Sequence, residues 1–419
     1  MRERMQVTVV RWLRWSEKYT KTDMVYLASG GLWSIIGQLI AAVVALSVSV
    51  AFAHLVPKDV YGNYKYILTV VGVLSIFSLS NLSTAIAQSA ARGYDGALPQ
   101  GFRANLRWSV LIFIGSILLS AYYLFFGNYT LSFGILLGGL VTPLLTGVNL
   151  AGSFLNGKQD FARATMYFGI IGVLVPALAL VAAILITKNL LILITVYFLS
   201  NLAVDGYFYV RTMRLYKVHE GKFDAEMLSY GKHLSVMAFV GGIAGSVDQL
   251  LLFHYGGAVN LAIYAFSIGI IDQVKGPGKM LDKMMQARFS NRSSHHIEAT
   301  MEHKMLWLLA TATAGVAVFY VIAPGLYKIL FPLYTDAVPF ARIYALTLLG
   351  FGAVPIGSYF AAHKKIREQY ISNLSGSLIQ IVTMVIGVIF WGIWGLVVAR
   401  AFSSMLNAIT MVALYYLTD

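Results

Sequence analysis

Twelve apolar stretches follow one another along the 419 residues of this chain. Most have about the 20 residues that an α-helix needs to cross the hydrocarbon core of a bilayer. Because 25 of the 31 lysines and arginines fall on alternate connections between the stretches, the positive-inside rule predicts that both termini lie in the cytoplasm. The stretches run over about 25–53, 64–91, 108–126, 131–155, 164–186, 190–210, 234–253, 261–285, 305–323, 338–362, 370–391 and 395–417.

Composition agrees with a multi-pass membrane protein, since 58% of the residues are hydrophobic and only 12% are charged. The net charge of +13 needs no nucleic acid to explain it, because the basic residues lie where anionic lipid headgroups would hold them. Cysteine is absent, which excludes disulfides, thiol catalysis and zinc-thiolate sites.

The connections are too short to bury a core of their own, so function is expected to reside in the membrane. We predict an all-α polytopic membrane protein whose twelve transmembrane helices form two six-helix bundles, related by pseudo-twofold symmetry along the membrane normal. The predicted domains are a cytoplasmic interfacial segment at 1–24, an N-terminal bundle at 25–210, a cytoplasmic linker at 211–233 and a C-terminal bundle at 234–419.

Weak echoes between the two halves support an internal repeat. His54 lies ten residues before Tyr64 in "HLVPKDVYGNY", and His254 lies ten residues before Tyr264 in "HYGGAVNLAIY". Parallel repeats of this kind predict a cavity between two bundles that rock against each other.

Charged residues inside the stretches are functional candidates, because an unpaired charge in hydrocarbon costs several kcal/mol. Asp272 is expected near the midplane of the eighth helix, Asp248 in the outer half of the seventh, and Asp205 about a turn and a half from the cytoplasmic end of the sixth. Arg400 should lie about 8 Å from the outer end of the twelfth helix, where it either faces the cavity or snorkels to the headgroups.

The eighth stretch has the densest set of polar residues. Asp272, Lys275 and Lys279 surround a Gly276-Pro277-Gly278 run that is expected to interrupt the helix. An interrupted cationic helix is tolerable where it lines a wet cavity, and it could hold phosphate groups. The alternative is that the lysines are topological anchors at the inner end of the span.

The predicted substrate cavity thus combines charged and amide side chains from both halves. Asp248 and Asp272 are also the candidates for coupling transport to an ion gradient, whereas the asparagines have bridging of helices by hydrogen bonds as their alternative role. The predicted cavity residues are Lys65, Asn81, Asn149, Asp248, Asp272, Lys275, Lys279 and Arg400.

Motifs for chemistry are missing from the sequence. No G-x-x-x-x-G-K-[ST], G-x-S-x-G or H-E-x-x-H occurs, so neither ATP hydrolysis nor an enzyme activity is predicted. Adjacent His295 and His296 have no carboxylate or cysteine company, so no metal site is predicted. No cofactor is expected; a coupling ion would be H⁺ or Na⁺.

Three segments resemble one family, the bacterial polysaccharide-repeat flippases, which translocate lipid-linked oligosaccharides and are related to the multidrug and toxin extruders. The segments are "AFAHLVPKDVYGNYKYILTV", "DQLLLFHYGGAVNLAIYAFSIGI" and "LYKILFPLYTDAVPFARIYALTLL". The resemblance spans essentially all twelve helices. It places the chain in the multidrug/oligosaccharidyl-lipid/polysaccharide exporter superfamily.

The resemblance implies a flippase that moves undecaprenyl-pyrophosphate-linked repeat units across the bacterial cytoplasmic membrane by alternating access. Implied partners are the polyprenyl-linked glycan, the lipid bilayer, a polysaccharide polymerase and glycosyltransferases. A cation-coupled multidrug exporter and a peptidoglycan-precursor flippase of the same superfamily remain alternatives. The cationic candidates favour an anionic substrate over a cationic drug. A major-facilitator sugar porter is disfavoured, because "RGYDGALPQGFR" lacks that family's loop motif.

Overall fold

The computed structural model describes residues 24–79, 81–218, 222–290, 300–363 and 365–418, and every regular element in these ranges is helical. The predicted interfacial segment at 1–24 lies outside the described residues except for its last residue. The all-α prediction is therefore confirmed over the described ranges.

Within the described residues, the N-terminal half contains nine helices and one π-helical segment, Thr165–Ile171, between α7 and α8. The helices are α1 (Met24–Leu55), α2 (Lys58–Ser75), α3 (Leu82–Ala91), α4 (Ala97–Trp108), α5 (Val110–Phe125), α6 (Tyr129–Gly157), α7 (Phe161–Ala164), α8 (Gly172–Ile186) and α9 (Leu190–Leu215).

The part of the C-terminal half that the structure describes has six helices and two 3₁₀ segments, Pro332–Ala337 and Leu346–Ala353, which flank α13 in the tenth crossing. The helices are α10 (Met227–Ala244), α11 (Val247–Ser290), α12 (Met301–Leu330), α13 (Val338–Ala345), α14 (Val354–Ala362) and α15 (Ile366–Thr418).

These helices make twelve crossings, because α11 and α15 each reverse direction once. The reversals occur at Gly257 (φ 77°) and Gly392 (φ 57°), in the left-handed region that glycine adopts without a steric penalty. Nine described segments are long and apolar enough to cross a membrane, and one of them, Ile366–Leu417, contains two crossings. The second crossing, split into α2 and α3, and the seventh, split between α10 and the start of α11, account for the rest.

Two helix predictions are wrong in an informative way. The second stretch was expected to be one helix but is interrupted between Ser75 and Leu82. The eighth was expected to break at Gly276-Pro277-Gly278, yet α11 continues through this run to Ser290. Membrane helices tolerate proline and glycine where neighbouring groups form hydrogen bonds with the freed backbone groups. The Gly-Pro-Gly sequence is therefore not sufficient to break the helix.

The connections at the two ends of the molecule differ in charge. We call the end that carries Arg92, Lys158 and Lys232 the basic end, and the end with the reversals at Gly257 and Gly392 the opposite end. The connection between the halves lies at the basic end, from Tyr216 to Glu226, with residues 219–221 outside the described ranges. The predicted domain boundaries stay a prediction, and the helices run beyond them on both sides of this connection.

Asp224 ties this connection to the N-terminal half. Its buried carboxylate accepts hydrogen bonds from the Ser89 hydroxyl (2.5 Å) and from Arg92 (2.9 Å). Burial by itself raises the pKa of Asp224, but these hydrogen bonds, the backbone amides of Glu226 and Met227 and the Arg92 charge together hold that pKa below its ordinary value.

Candidate functional site

A cavity of about 430 Å³ lies between the two halves, where crossings 1, 2, 5 and 6 face crossing 8. Its walls are largely apolar, with aromatic rings among aliphatic side chains and a few uncharged polar side chains, Ser49, Asn201 and Gln273. The aromatic lining consists of Phe52, Tyr61, Tyr64, Tyr197, Phe266 and Phe331. Cavities of this size and composition are typical of ligand sites in proteins.

Lys65 is the charged side chain that lines this cavity among the described residues. Tyr61, Tyr64, Lys65 and Leu68 follow at helical spacing on α2, so one face of this helix presents all four to the cavity. The Lys65 ammonium lies 5.9 Å from the centre of the Tyr61 ring. No carboxylate of the described residues forms an ion pair with it, so its charge is available to an anion.

A second group of polar side chains, which we call the C-half polar cluster, lies within the C-terminal bundle. It consists of Asp248, Tyr264, Asp272, Lys275, Tyr344 and Arg400, and it begins with a carboxylate that is fully buried. Asp248 accepts a hydrogen bond from the Tyr264 hydroxyl (2.6 Å), and its Oδ2 lies 3.4 Å from Nη1 of Arg400. The charges of Asp248 and Arg400 thus compensate each other inside the bundle.

The other part of the cluster is centred on Asp272. The Lys275 ammonium lies 3.0 Å from the Asp272 carboxylate, one helical turn away, and 2.9 Å from the Tyr344 hydroxyl. Tyr344 donates to Asp272 at 2.8 Å, and its ring lies 4.1 Å below the ammonium. Because Arg400 also interacts electrostatically with Tyr344, this tyrosine connects the two carboxylates.

The predicted site residues therefore separate into groups. Lys65 lines the cavity, and Asp248, Asp272, Lys275 and Arg400 meet in the C-half polar cluster. The snorkelling alternative for Arg400 is wrong, because its side chain is only 19% exposed and turns towards Asp248. The side chain of Lys279 lies outside what the structure describes.

The two asparagines occupy other positions. Asn81 begins α3 and bridges the halves at the basic end, where its amide donates to the Leu234 carbonyl (3.1 Å) and its backbone N–H to the Ser235 hydroxyl (3.1 Å). Asn149, on α6, hydrogen-bonds to the carboxylate of Asp205. Neither side chain is part of the cavity lining.

Sequence reasoning missed the tyrosines that complete the cluster and the contacts that close the opposite end. Tyr264 was noted only for its place in the internal repeat, and neither it nor Tyr344 carried a sequence signal for a polar partner, because a buried hydroxyl partner depends on which helices are neighbours. At the opposite end Lys58 and Asp336 form an ion pair between the halves (2.9 Å). Tyr66 stacks on Phe253 with ring centres 3.6 Å apart.

Backbone contact reinforces this closure. A Cβ atom at Gly62 on α2 would lie 1.9 Å from the Ala258 carbonyl oxygen on α11, so only glycine permits the two helices to approach this closely. Nearer the middle of the same interface, the Thr69 hydroxyl lies 2.8 Å from the side-chain oxygen of Gln249. Among the residues that the structure describes, no three metal-ligating side chains come together.

Comparison with known proteins gives one family and one fold. Residues 27–271 match the family described as "Polysaccharide biosynthesis protein". No curated protein is similar to the chain at a significant level.

The fold is that of two groups of membrane proteins. An inward-facing multidrug resistance MATE family transporter of the MOP superfamily matches with a TM-score of 0.70 at 15% identity, covering 92% of this chain and 99% of that one. The lipid II flippase MurJ, in an inward closed conformation, matches with a TM-score of 0.70 at 12% identity, over 93% of this chain and 87% of that one. Both are named as transporters or flippases rather than as enzymes. These matches confirm the predicted fold class.

Proposed function

The chain belongs to the polysaccharide biosynthesis protein family, and from that premise we propose that it is a flippase for lipid-linked oligosaccharide repeat units. Its substrate is a glycan carried on undecaprenyl pyrophosphate, which enters from the cytoplasmic leaflet and leaves at the outer leaflet. The basic end then faces the cytoplasm, with both termini on that side, as the charge distribution predicts.

One observation supports this substrate class above all: the interbundle cavity combines Lys65 with apolar walls that include aromatic rings, and it has no carboxylate in its described lining. A pyrophosphate brings negative charge that cannot cross hydrocarbon without compensation. Lys65 supplies positive charge in a low-dielectric setting, where the attraction is stronger than in water. The flat aromatic faces offer apolar surfaces to sugar rings.

The same observation argues against a cation-coupled drug exporter. A site for cationic drugs needs negative charge or exposed ring faces without a competing ammonium group. In this cavity the charged lining residue has the same sign as such a drug. The acidic residues Asp248 and Asp272 lie instead in the C-half polar cluster, next to Arg400 and Lys275.

Contacts between the halves support alternating access. Lys58, Asp336 and the close approach at Gly62 hold the halves together at the opposite end, and a substrate from the cytoplasmic leaflet would enter from the basic end once the contacts of Asn81 there separate. At about 430 Å³ the cavity accommodates only the phosphate-proximal part of a repeat unit. A complete repeat therefore requires rocking of the bundles. Glycosyltransferases at the cytoplasmic face and a polymerase at the outer face would act before and after this step.

The test is substitution of Lys65. Lys65→Met should lower delivery of repeat units to the outer surface at least tenfold with unchanged protein abundance, and Lys65→Arg should retain part of it. Lys188→Met, which removes an exposed lysine at the opposite end, is the matched control. Readouts are surface polysaccharide, lipid-linked repeat units retained in the membrane, and abundance by immunoblot.

Three outcomes would contradict the proposal. Parent-level polysaccharide from Lys65→Met would remove the cavity lysine from substrate binding. Increased efflux of a cationic dye from cells that produce the chain, with surface polysaccharide unchanged, would support the drug exporter. Retention of a lipid-linked peptidoglycan precursor in depleted cells would support the third candidate.

A further inference from the structure

Asp205 differs from the two carboxylates that the sequence offered as coupling residues. Asp248 has Arg400 beside it and Asp272 has Lys275, so each of these carboxylates has a cationic partner. Asp205 lies in α9, about 15 Å from its basic end by the helical rise, and is 6% exposed. No lysine or arginine of the described residues forms an ion pair with it. A buried carboxylate without a cation is costly while it is charged.

The surroundings of Asp205 supply polar groups but no compensating charge. Asn149 of α6 hydrogen-bonds to the carboxylate. Tyr197, which lies two turns earlier on α9, interacts electrostatically with the charge of Asp205. Other titratable groups on the elements packed around it are Tyr209 and Arg211 on α9, Tyr167 on the π-helical segment, and Tyr64 and Lys65 on α2. Arg211 lies over the Tyr167 ring, 5.4 Å from its centre, and helix α8 contributes no titratable residue.

The carboxylate also lies behind the wall of the cavity. Gly172, the first residue of α8, lines the cavity and lies directly against Asp205. A Cβ atom there would come within 3.0 Å of Asp205 Oδ1 and 2.8 Å of the Tyr167 carbonyl oxygen. The preceding seven residues form a π-helix, a rare element that is frequent at functional sites. Because glycine has no side chain, Gly172 brings the wall of the cavity into contact with the carboxylate.

We infer that Asp205, in contact with the wall of the interbundle cavity at Gly172, is a proton-binding residue of the N-terminal bundle. A proton that arrives through water in the cavity binds the carboxylate and gives a neutral carboxylic acid, and release into the cavity restores the charge. A proton suits this site better than a sodium ion, since Asn149 is the side chain that coordinates the carboxylate and Na⁺ requires a larger set of oxygens. The coupling role rests on the proposed flippase function, whereas the titration does not.

Infrared difference spectroscopy on the purified full-length chain tests this directly, because a protonated carboxylic acid has a C=O stretching band that a carboxylate lacks. Between alkaline and mildly acidic buffer, the parent should show this band from a buried acid, and the band should shift in D₂O. Asp205→Asn should abolish it. Asp272→Asn, the matched control at a half-exposed carboxylate that pairs with Lys275, should leave it unchanged. Persistence of the band in Asp205→Asn, its absence from the parent, or its loss in Asp272→Asn would overturn the inference.

Two further variants keep the test decisive. If Asp205→Asn does not fold, Asp205→Glu should move the band to a different frequency while retaining it, and an unmoved band would assign it to another residue. Gly172→Ala should slow the D₂O shift by closing the approach from the cavity, whereas an unchanged rate would remove Gly172 from the proton path. The spectra contain no glycan, so failure of the flippase proposal would leave these results intact.

Discussion

The ion pair between Asp248 and Arg400 allows a quantitative prediction about what holds the C-terminal bundle together. The side chain of Asp248 is 1% exposed and that of Arg400 is 19% exposed, so bulk water does not solvate either charge when its partner is removed. Removing one partner of a buried pair costs about 3–5 kcal/mol, because the remaining charge stays buried. We therefore expect Asp248→Asn and Arg400→Met each to destabilise the protein by about that amount.

The double variant separates the attraction between the two charges from the cost of burying each charge. Asp248→Asn combined with Arg400→Met removes both charges, and the Tyr264 hydroxyl still has a hydrogen-bond acceptor at position 248. Its stability should lie close to that of the parent, which gives an interaction free energy of about 6–10 kcal/mol in the cycle, the sum of the two single-variant losses. Since about 1 kcal/mol moves the Tm of a domain of this size by about 2–4 °C, each single variant should lose about 6–20 °C.

Thermal unfolding of purified protein in detergent, followed by size-exclusion chromatography, measures these shifts. Lys58→Met is the matched control, because the Lys58–Asp336 pair is exposed and such pairs contribute at most about 1 kcal/mol. If Asp248→Asn and Arg400→Met lose no more stability than Lys58→Met, the buried-pair reasoning is refuted. Surface polysaccharide then shows whether the Asp248–Arg400 pair is structural or takes part in transport. If the double variant delivers polysaccharide at the parent level, the pair is a structural counter-charge. If delivery is lost, the pair takes part in transport.

Three further predictions concern the ends of the molecule. Gly62→Leu should prevent closure of the opposite end against Ala258 and abolish polysaccharide delivery while the chain still reaches the membrane, as immunoblotting of membranes would show; normal delivery would remove this contact from the cycle. Because the chain has no cysteine, Lys58→Cys with Asp336→Cys should form a thiol crosslink that stops delivery, and each single cysteine variant should remain active. Asp224→Asn should destabilise the chain by about 1–3 kcal/mol at neutral pH. The pKa of Asp224 is lowered in the folded state, so its carboxylate stabilises the chain fully above the ordinary aspartate pKa of about 3.9. This stabilisation disappears as the pH falls through the lower pKa of the folded state. The difference in Tm between the parent and Asp224→Asn should therefore shrink below about pH 4.

That the chain is an all-α membrane protein could be predicted from its sequence, because a bilayer imposes length and apolarity on every segment that crosses it. The sequence also determined which polar residues need an explanation, since charges are rare in such segments. Lys65, Asp248, Asp272, Lys275 and Arg400 were found this way, and the structure places each at the cavity or in the C-half polar cluster.

Which of these residues contact one another depends on the tertiary structure and could not be predicted from the sequence. Asp248 and Arg400 are far apart in the sequence and become partners because the seventh and twelfth crossings are neighbours, a choice that helical periodicity within one segment does not encode. The tyrosines of the cluster, the glycine contact at Gly62 and the isolation of Asp205 were hidden for the same reason. A sequence pattern fixes which face of a helix a residue occupies, whereas the charge it meets there depends on how neighbouring helices are rotated and how closely they approach.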